Sequence, residues 1–574
     1  MTGIGRRESL QLIAAGLTGL AVPAALASTP SGGGTLYYNG DILTMEGDIP
    51  TYVEALVEQN GRIAFTGTLR DARKLFPHAR RRNLAGRTLL PGFIDGHGHY
   101  YITGLSALMA NVLPPPDGPA AGFDTLVAMT RAWMESAQGK YFIDTFGWIV
   151  ANGYDDAQLR EGRHPTAAIL DQISTDLPVL AIHQSGHVGC LNTKALAIIG
   201  YTSETPDPKG GVIRRLPDGS PEGLVEEAAY NKVAYQILAR TTPAIERDCL
   251  VAAQAAYVAG GYTTAQEARA LPNMTKALEL AASDGALGID VVAYPDLVAN
   301  AAAMSSRFYR KDHSYQGRYR IGGAKLSLDG SPQAKTAWLS KPYHIVPHGE
   351  APDYRGYQAL SDEKLRSLVA QAGAHQWQLL FHANGDAAID QLLDSLDATP
   401  VAAGWDKLRP VLIHGQTLRK DQVSRMARLR VLPSLFPAHT FYWGDYHRQS
   451  VLGAERASRI SPSRDVLGAG LTMTSHHDAP VIRPNAMRVL DATVNRTTRS
   501  GYLLGADQRL TAYEALRSLT AWAAYQIFEE ASKGTLSVGK LADLVILSAN
   551  PLKVKASDIH SIKILGLIKE GRAL

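Results

Sequence analysis

The middle of the chain alternates short apolar segments with amphipathic ones, and this alternation constrains the fold more than any other feature. The apolar segments are typical of buried strands that end in glycine or polar residues: GIDVVAYPD, YRIGGAKLSLDG, WQLLFHANGD, LRPVLIHGQ, RVLPSLFP and LTMTSHHDAP. Segments with helical periodicity lie between them, such as DEKLRSLVAQAGAH and AAIDQLLDSLDA. Strands that alternate with helices predict βα units and a parallel sheet. An alternation repeated this often predicts an α/β protein built on a (β/α)8 TIM-like barrel.

The two ends of the chain share a different pattern, in which short apolar runs are separated by Asn-Gly and Gly turns. This pattern predicts a small β-sandwich subdomain that is composed of residues 34–90 and 533–574. The barrel then occupies residues 91–532, which exceeds the ~250 residues typical of that fold. We therefore expect a large insertion after the first barrel strand, at about residues 101–247.

Charge and cysteine content exclude some classes of function. The 574 residues include 58 basic and 54 acidic ones, for a net charge of +4, and this balance argues against a nucleic-acid partner. The two cysteines, Cys190 and Cys249, form no CxxC motif. We expect two free thiols, and a single disulfide remains the alternative.

The first 27 residues resemble an export signal. Arg6 and Arg7 precede the uncharged run SLQLIAAGLTGLAVPAALA, and Ala25-Leu26-Ala27 is a small-x-small cleavage site. The run contains Pro23 and is shorter than the ~20 apolar residues that a membrane span needs, so no stable membrane insertion is expected. The paired arginines predict twin-arginine-type export, to the periplasm or outside the cell.

Polar side chains that can bind metal follow the predicted strands at the point where each strand ends. In chain order they are His97 and His99 in PGFIDGHGHY, Lys325, His382, His414 and Asp478. His97 and His99 are two residues apart, so on a strand both would face the same side. The carboxyl ends of barrel strands meet at one mouth, where active sites are built. Imidazole and carboxylate ligands predict one or two divalent ions, first of all zinc, with Mn, Fe or Co as alternatives.

Other polar residues near these strand ends receive structural interpretations. Glu267 is interpreted as part of a rim salt bridge, and Asp95 as structural. Asp386 is expected to support the loop after His382. Alternation directs His476 to the same side as Asp478, but it is not predicted to be a ligand.

In this order, the histidine, lysine and aspartate segments resemble the metal-dependent amidohydrolase superfamily. Further segments are similar to its amidohydrolase family 3, the YtcJ-like branch that includes N-substituted formamide deformylases: GHVGCLNTKAL, PKGGVIRR, PEGLVEEAA, KLSLDGSPQAKTAWL and HANGDAAID. The resemblance covers essentially the whole chain after the signal.

The resemblance implies roles for the residues at the strand ends. His97 and His99 would hold a first ion, and Asp478 would contact that ion and act as the catalytic proton shuttle. His382 and His414 would hold a second ion. Lys325 stands where many members carry a CO2-derived carbamate that bridges two metals, because an unmodified ammonium cannot be a ligand. The alternative for Lys325 is an ion pair, for example with Asp329.

Residues that contact the substrate are predicted less directly. His187, in the predicted insertion, is a candidate catalytic donor to the oxyanion, and packing under the insertion is its alternative. The predicted substrate-binding residues are His439, Trp443 and Trp148, and simple packing is again the alternative.

Together these features predict a hydrolase that cleaves a non-peptide carbon–nitrogen bond in a small molecule with a metal-activated hydroxide. The bond would belong to an amide, an N-substituted formamide or a cyclic amide. Two alternatives remain open: a metal-dependent deaminase of an amino-heterocycle, and a catalytically inactive exported binding protein. A homodimer is the default expectation for the oligomeric state.

Overall fold

A computed structural model of the chain describes residues 33–347, 349–401 and 404–574. The predicted export signal, residues 1–27, lies outside these described residues. The described chain divides into two compact units. One unit contains residues 101–253 and 480–482, and the other contains the remaining described residues.

Strands from both ends of the chain pair in one eight-stranded sheet of the larger unit. Its strands are Thr35–Leu43, Tyr52–Gln59, Arg62–Gly67, Arg80–Asn83, Thr88–Pro91, Leu544–Leu547, Ile564–Lys569 and Arg572–Ala573. The two ends meet where Thr88–Pro91 pairs antiparallel with Leu544–Leu547. The two ends of the chain therefore share one hydrogen-bonded sheet, as expected of a composite subdomain, and its description as a β-sandwich stays a prediction.

Both faces of this sheet are buried because alternate residues of each strand point to opposite sides. Leu36 and Val57 pack in one hydrophobic cluster, whereas Tyr37 and Leu56 pack in another. Ala72, from helix Leu69–Leu75, joins the first cluster, so a helix packs against one face of the sheet.

The centre of the larger unit consists of parallel strands and helices in a TIM-barrel-like α/β arrangement. One parallel sheet contains Phe93–Ile94, Tyr262–Ala270, Asp290–Pro295 and Tyr319–Ile321, and another contains Ala324–Ser327, Leu379–Ala383, Val411–His414, Leu432–Leu435 and Thr474–Ser475. A bridge between Asp296 and Lys325 joins the two sheets. Side chains of both sheets, such as Val292 and Ile413, pack in the same hydrophobic core. The strands are continuous apolar runs because both faces of a parallel sheet are covered.

The α-helices of the larger unit are Leu69–Leu75, Pro272–Ser283, Asp362–His375, Asp386–Asp397, Trp405–Leu408, Lys420–Leu429, His439–Tyr446, Gly453–Ala457, Ser463–Gly468, Ala486–Asn495, Ala512–Arg517 and Ala521–Gln526. Short 3-10 turns lie at Ala301–Ser305, Ala506–Gln508 and Ala556–Ser561, and a π-helical turn lies at His447–Val451.

The smaller unit is built on a six-stranded sheet with its own hydrophobic core. In spatial order the strands are Gly211–Arg215, Pro221–Glu227, Val188–Leu191, Val179–His183, Ile149–Tyr154 and Ala110–Asn111. Its helices are Phe123–Glu135, Ala137–Phe146, Ala167–Asp171, Thr193–Ile199 and Ala228–Leu238. Helix Tyr100–Leu108 leads into the unit and helix Pro243–Ala259 leads out of it, so the predicted boundary at residue 247 falls inside a helix.

Cys190 and Cys249 are buried free thiols of the smaller unit, as expected. Among the described residues, no helix is both long and apolar enough to span a membrane.

Candidate metal centre

The loop that carries His97 and His99 follows the first barrel strand and does not belong to it. The strand ends at Ile94, so the prediction that strand geometry aims both histidines is wrong. Backbone hydrogen bonds position the loop instead: Asp478 N–H donates to His97 O at 3.1 Å, and His99 N–H donates to Ala479 O at 2.8 Å. The loop is thereby tied to the segment that carries Asp478.

Asp95 and Gly98 allow this loop to pack closely. One carboxylate oxygen of Asp95 accepts the backbone N–H of His97 at 3.0 Å, and the other accepts the Tyr257 hydroxyl at 3.2 Å. A Cβ atom at Gly98 would lie 2.4 Å from the Tyr257 hydroxyl oxygen and 2.6 Å from Asp95 Oδ2. No larger residue fits at position 98 without displacing the network that holds His97.

The carboxylate of Asp478 lies among three histidines. Its Oδ1 is 3.3 Å from His97 Nε2 and 3.2 Å from His99 Nε2, and its Oδ2 is 3.8 Å from His414 Nε2. Donor atoms of His97, His414 and Asp478 all lie within 4.8 Å of one another. The structure therefore brings together side chains that are up to 381 positions apart, the difference between residues 97 and 478.

His382 and His414 lie at the ends of neighbouring parallel strands, since His382 is the last residue but one of Leu379–Ala383 and His414 is the last of Val411–His414. His382 Nδ1 and His414 Nε2 are 3.1 Å apart. The other nitrogen of His382, Nε2, lies 3.1 Å from the carbonyl oxygen of Gly330. Nε2 also lies 3.1 Å from the amide nitrogen of Asn384. These contacts leave Nδ1 toward His414, where it can bind a metal ion.

His476 supports His414, a role that the sequence did not reveal. His476 Nε2 is 3.1 Å from His414 Nδ1, and His476 Nδ1 is 2.9 Å from the Ser434 hydroxyl. The chain of contacts holds the His414 ring with Nε2 toward Asp478, as residues behind metal ligands commonly do. Alternation along the strand had indicated the direction of His476, but its partner Ser434 comes from another strand.

Lys325 is buried next to the first histidine. Its Nζ lies 3.3 Å from His97 Nε2, and burial lowers the pKa of this amine to about 7. Asp329, the suggested ion-pair partner, instead accepts backbone N–H groups of Asn384 at 3.0 Å and Gly385 at 2.7 Å.

Glu267 is fully buried, so its interpretation as a rim residue is wrong. Its Oε1 lies 3.7 Å from His99 Nδ1. Burial alone would lower the pKa of His99, but Asp478 and Glu267 outweigh it and raise this pKa to about 9. Glu267 therefore lies next to Nδ1 of His99, whereas Asp478 lies next to Nε2.

Asp386 supports the loops after the strands, as the sequence indicated. Its carboxylate accepts the backbone N–H of Ser340 at 2.8 Å and a hydrogen bond from Arg419 at 3.1 Å.

The predicted substrate residues His439 and Trp443 lie in a buried aromatic cluster. The ring of His439 stacks on His447, with Nδ1 3.1 Å from His447 Nε2, and its centroid is 4.6 Å from the rings of Phe436 and Trp443. Packing accounts for both side chains in this structure, and their contact with a substrate stays a prediction.

His187 and Trp148 belong to the smaller unit. His187 Nδ1 is 2.9 Å from Glu227 Oε1, which fixes the orientation of the ring. Trp148 lies in the hydrophobic core of that unit. Roles for these two residues in catalysis or substrate binding stay predictions.

The residues at the barrel strand ends fit a divalent ion. Burial lowers the pKa of His97 and of His414 well below the usual value, so both rings are neutral and able to bind metal. Asp478 Oδ1 is buried and makes no hydrogen bond within the described part of the chain, although two imidazole nitrogens lie within 3.3 Å. Imidazole nitrogen with carboxylate oxygen is the donor set that zinc and similar ions prefer.

The chain is similar to known proteins over most of its length. Residues 81–574 match the model of the amidohydrolase family. An N-substituted formamide deformylase of Arthrobacter pascens is 25% identical over 90% of this chain and 94% of its own length. A protein of Bacillus subtilis (strain 168) named as the amidohydrolase YtcJ is 24% identical over 94% of this chain and 98% of its own length.

One solved structure supports the fold. The crystal structure of an uncharacterised metal-dependent hydrolase from Pyrococcus horikoshii OT3 superposes with a TM-score of 0.72 at 24% identity, covering 91% of this chain and 99% of that one. The family resemblance seen in the sequence is confirmed. The chain belongs to the amidohydrolase family and is a metal-dependent hydrolase.

Proposed function

We propose that this protein hydrolyses a non-peptide carbon–nitrogen bond in a small amide, N-substituted formamide or cyclic amide. The observation that carries the proposal is the position of the Asp478 carboxylate, within 3.3 Å of the Nε2 atoms of both His97 and His99. A carboxylate in this place can hold an ion and exchange a proton with a reacting group. The similarity to an N-substituted formamide deformylase supports the choice of bond.

His97, His99 and Asp478 would hold one ion, and His382 and His414 a second. When bound, the ions would lower the pKa of a water molecule toward neutrality and polarise the substrate carbonyl. Zinc is the first choice, with Mn, Fe or Co as alternatives.

Asp478 is the proposed general base and acid. Its carboxylate accepts the proton of the attacking water, and the carboxylic acid then donates it to the leaving nitrogen as the carbon–nitrogen bond breaks. Glu267 and His476 touch the other nitrogens of His99 and His414 and so hold the two rings in position.

Lys325 is the proposed site of a carbamate. A pKa of about 7 leaves a large fraction of the amine uncharged at neutral pH. The uncharged nitrogen would attack CO2, forming an N–C bond and releasing one proton, which would convert a neutral amine into an anionic carbamate. That carboxylate would serve as the bridge between the ions.

His187, His439, Trp443 and Trp148 remain the proposed substrate contacts. For His187 the test is a His187→Gln variant. An oxyanion donor predicts a lower kcat with little change in metal content, whereas loss of folded protein alone would indicate packing.

A substrate panel tests the proposal directly. Zinc- or manganese-loaded enzyme is assayed with N-substituted formamides, N-acyl amides, cyclic amides and an amino-heterocycle, and wild type is compared with Asp478→Asn. Release of amine from one of the first three classes, lost in the variant, is the expected result. Ammonia release from the heterocycle alone would establish the deaminase, and no turnover of any class would favour an inactive binding protein.

Export, domain organisation and oligomeric state complete the proposal. Residues 1–27 would direct twin-arginine-type export, and changing Arg6 and Arg7 to lysine would then retain the protein in the cytoplasm. The barrel of residues 91–532 would carry the chemistry, and residues 34–90 and 533–574 would form the composite subdomain. We also propose that the protein forms a homodimer. Light scattering after gel filtration measures this oligomeric state.

A further inference from the structure

A second group of possible metal ligands lies in the smaller unit, at the ends of two neighbouring parallel strands. Ile149–Tyr154 and Val179–His183 pair in parallel, and Tyr154 stands opposite His183. Asp155 and Asp156 follow the first strand directly, and His183 is the last residue of the second. Because both strands end at the same edge of the sheet, the two carboxylates and the imidazole converge there.

The three side chains are close enough to share one ion. His183 Nε2 is 3.0 Å from Asp156 Oδ1 and 3.6 Å from Asp155 Oδ1. One donor atom from each residue lies within 4.8 Å of the other two. Metal–ligand bonds of about 2.0–2.2 Å place neighbouring ligand atoms roughly 3–3.5 Å apart, so only small side-chain movements are needed.

Ser185 fixes the orientation of His183. The Nδ1 atom of His183 lies 2.8 Å from the hydroxyl of Ser185 and accepts the backbone N–H of Ser185 at 3.1 Å, which leaves Nε2 toward the carboxylates. The side chain is fully buried, and Nε2 makes no hydrogen bond of good geometry within the described residues despite the short distance to Asp156.

A second imidazole lies beside the cluster. His164 Nε2 is 3.8 Å from Asp156 Oδ2, the oxygen that faces away from His183. The hydroxyl of Tyr154 lies 2.9 Å from His164 Nδ1 and so orients this ring. His164 is thus placed to move toward a bound ion or to hold Asp156.

The charge of the cluster favours a cation beside the two carboxylates. The side chains of Asp155 and Asp156 are 1% and 13% exposed, and burying two carboxylates is costly unless positive charge accompanies them. A proton on His183 supplies one positive charge against two negative ones, whereas a divalent ion balances both and leaves the imidazole neutral.

We propose that Asp155, Asp156 and His183 bind a divalent transition-metal ion, zinc or manganese, within the smaller unit. This site uses none of the ligands of the barrel centre and does not depend on the proposed reaction. Three protein ligands leave coordination positions for water or for His164. The ion would fasten the ends of two strands and so stabilise the unit that they belong to.

Metal counting on the full-length protein tests the site. Wild type, Asp156→Asn and His183→Gln are loaded with zinc, freed of excess ion by gel filtration, and analysed by inductively coupled plasma mass spectrometry. Each variant is expected to hold one zinc fewer per chain than wild type, while His97→Ala keeps that zinc. Asp144→Asn, a change at an exposed aspartate of the same unit, is the matched control and should bind as wild type does.

Circular dichroism establishes whether each variant is folded. A second experiment uses the unmodified protein, so its result does not depend on the folding of any variant. Crystals of the zinc-loaded protein are expected to show an anomalous peak at the zinc edge between Asp156 and His183. A full zinc complement in Asp156→Asn overturns the proposal, and so does the absence of that peak; the cluster would then be a buried ion pair.

Discussion

His414 and Asp478 have backbone torsions that few residues other than glycine adopt, with φ of 75° and 53°. Such conformations cost about 1–3 kcal/mol each and persist where the surrounding structure enforces them. Both residues are candidate ligands, and both are buried at the mouth of the parallel strands. Strain at these two positions is consistent with side chains that are held for binding instead of for stability.

Asp478→Asn is expected to lower kcat by about 10²–10⁴-fold, because the amide cannot accept and return a proton. Asparagine tolerates a positive φ, so the backbone should be kept and the melting temperature should change little. Steady-state kinetics of the zinc-loaded enzyme measure the effect. Asp284→Asn, at an exposed position, is the control. Activity within twofold of wild type would rule out the proton-transfer role.

The burial of His447 predicts that the free energy of unfolding falls in mild acid. Burial lowers its pKa to about 3, below the value of about 6.5 in an unfolded chain. The unfolded state therefore binds the extra proton first, so this stability is present above pH 6.5 and is lost as the pH falls toward 3. The expected loss is about 2 kcal/mol between pH 7.5 and 5.

Urea unfolding at a series of pH values measures this dependence. His447→Gln should reduce its slope, and His375→Gln, at an exposed histidine, should leave it unchanged. Equal slopes in wild type and His447→Gln would show that His447 does not cause the effect.

At the scale of elements, the site depends on the loops after the strands more than on the strands themselves. The first barrel strand has only two residues, Phe93–Ile94, and the histidine loop after it is held by hydrogen bonds to residues 478 and 479. The geometry of the first metal site thus requires the first and last barrel strands to be in place together.

Gly98→Ala tests this dependence. The new Cβ would lie 2.4 Å from the Tyr257 hydroxyl oxygen, so we expect a stability loss of about 1–3 kcal/mol and weaker metal binding. Thermal unfolding and a chelator competition titration measure the two effects. Gly468→Ala is the matched control, since no atom lies within 4 Å of its Cβ position. Unchanged stability and affinity in Gly98→Ala would contradict this account of the loop.

At the scale of the molecule, the ligands of the barrel centre come from distant parts of the chain, between residues 97 and 478. An ion that binds the folded chain and not the unfolded one adds stability of about 4 kcal/mol at a thousandfold excess over Kd. Dialysis against a chelator should therefore lower the melting temperature, and added zinc should restore it. A melting temperature that is insensitive to chelation, with zinc shown to be removed, would exclude this coupling.

The sequence by itself determined the class of fold and the set of candidate ligands. Alternating apolar and amphipathic segments are local patterns, and the rule that strand ends meet at one mouth predicted that His97, His382, His414 and Asp478 would converge. The family resemblance added the role of Lys325. The convergence of the strand ends could be predicted because it depends on short segments and on their order in the chain, whereas the role of Lys325 stays a prediction.

Only the tertiary structure decided which residues touch. It showed Glu267 buried beside His99, joined His476 to Ser434, assigned Asp329 to backbone N–H groups, and placed Asp155 and Asp156 against His183. It also showed that strands from both ends of the chain pair in one sheet. The physical reason is that a side chain's partner across strands depends on register and face, which are set by packing of the whole domain and not by local sequence.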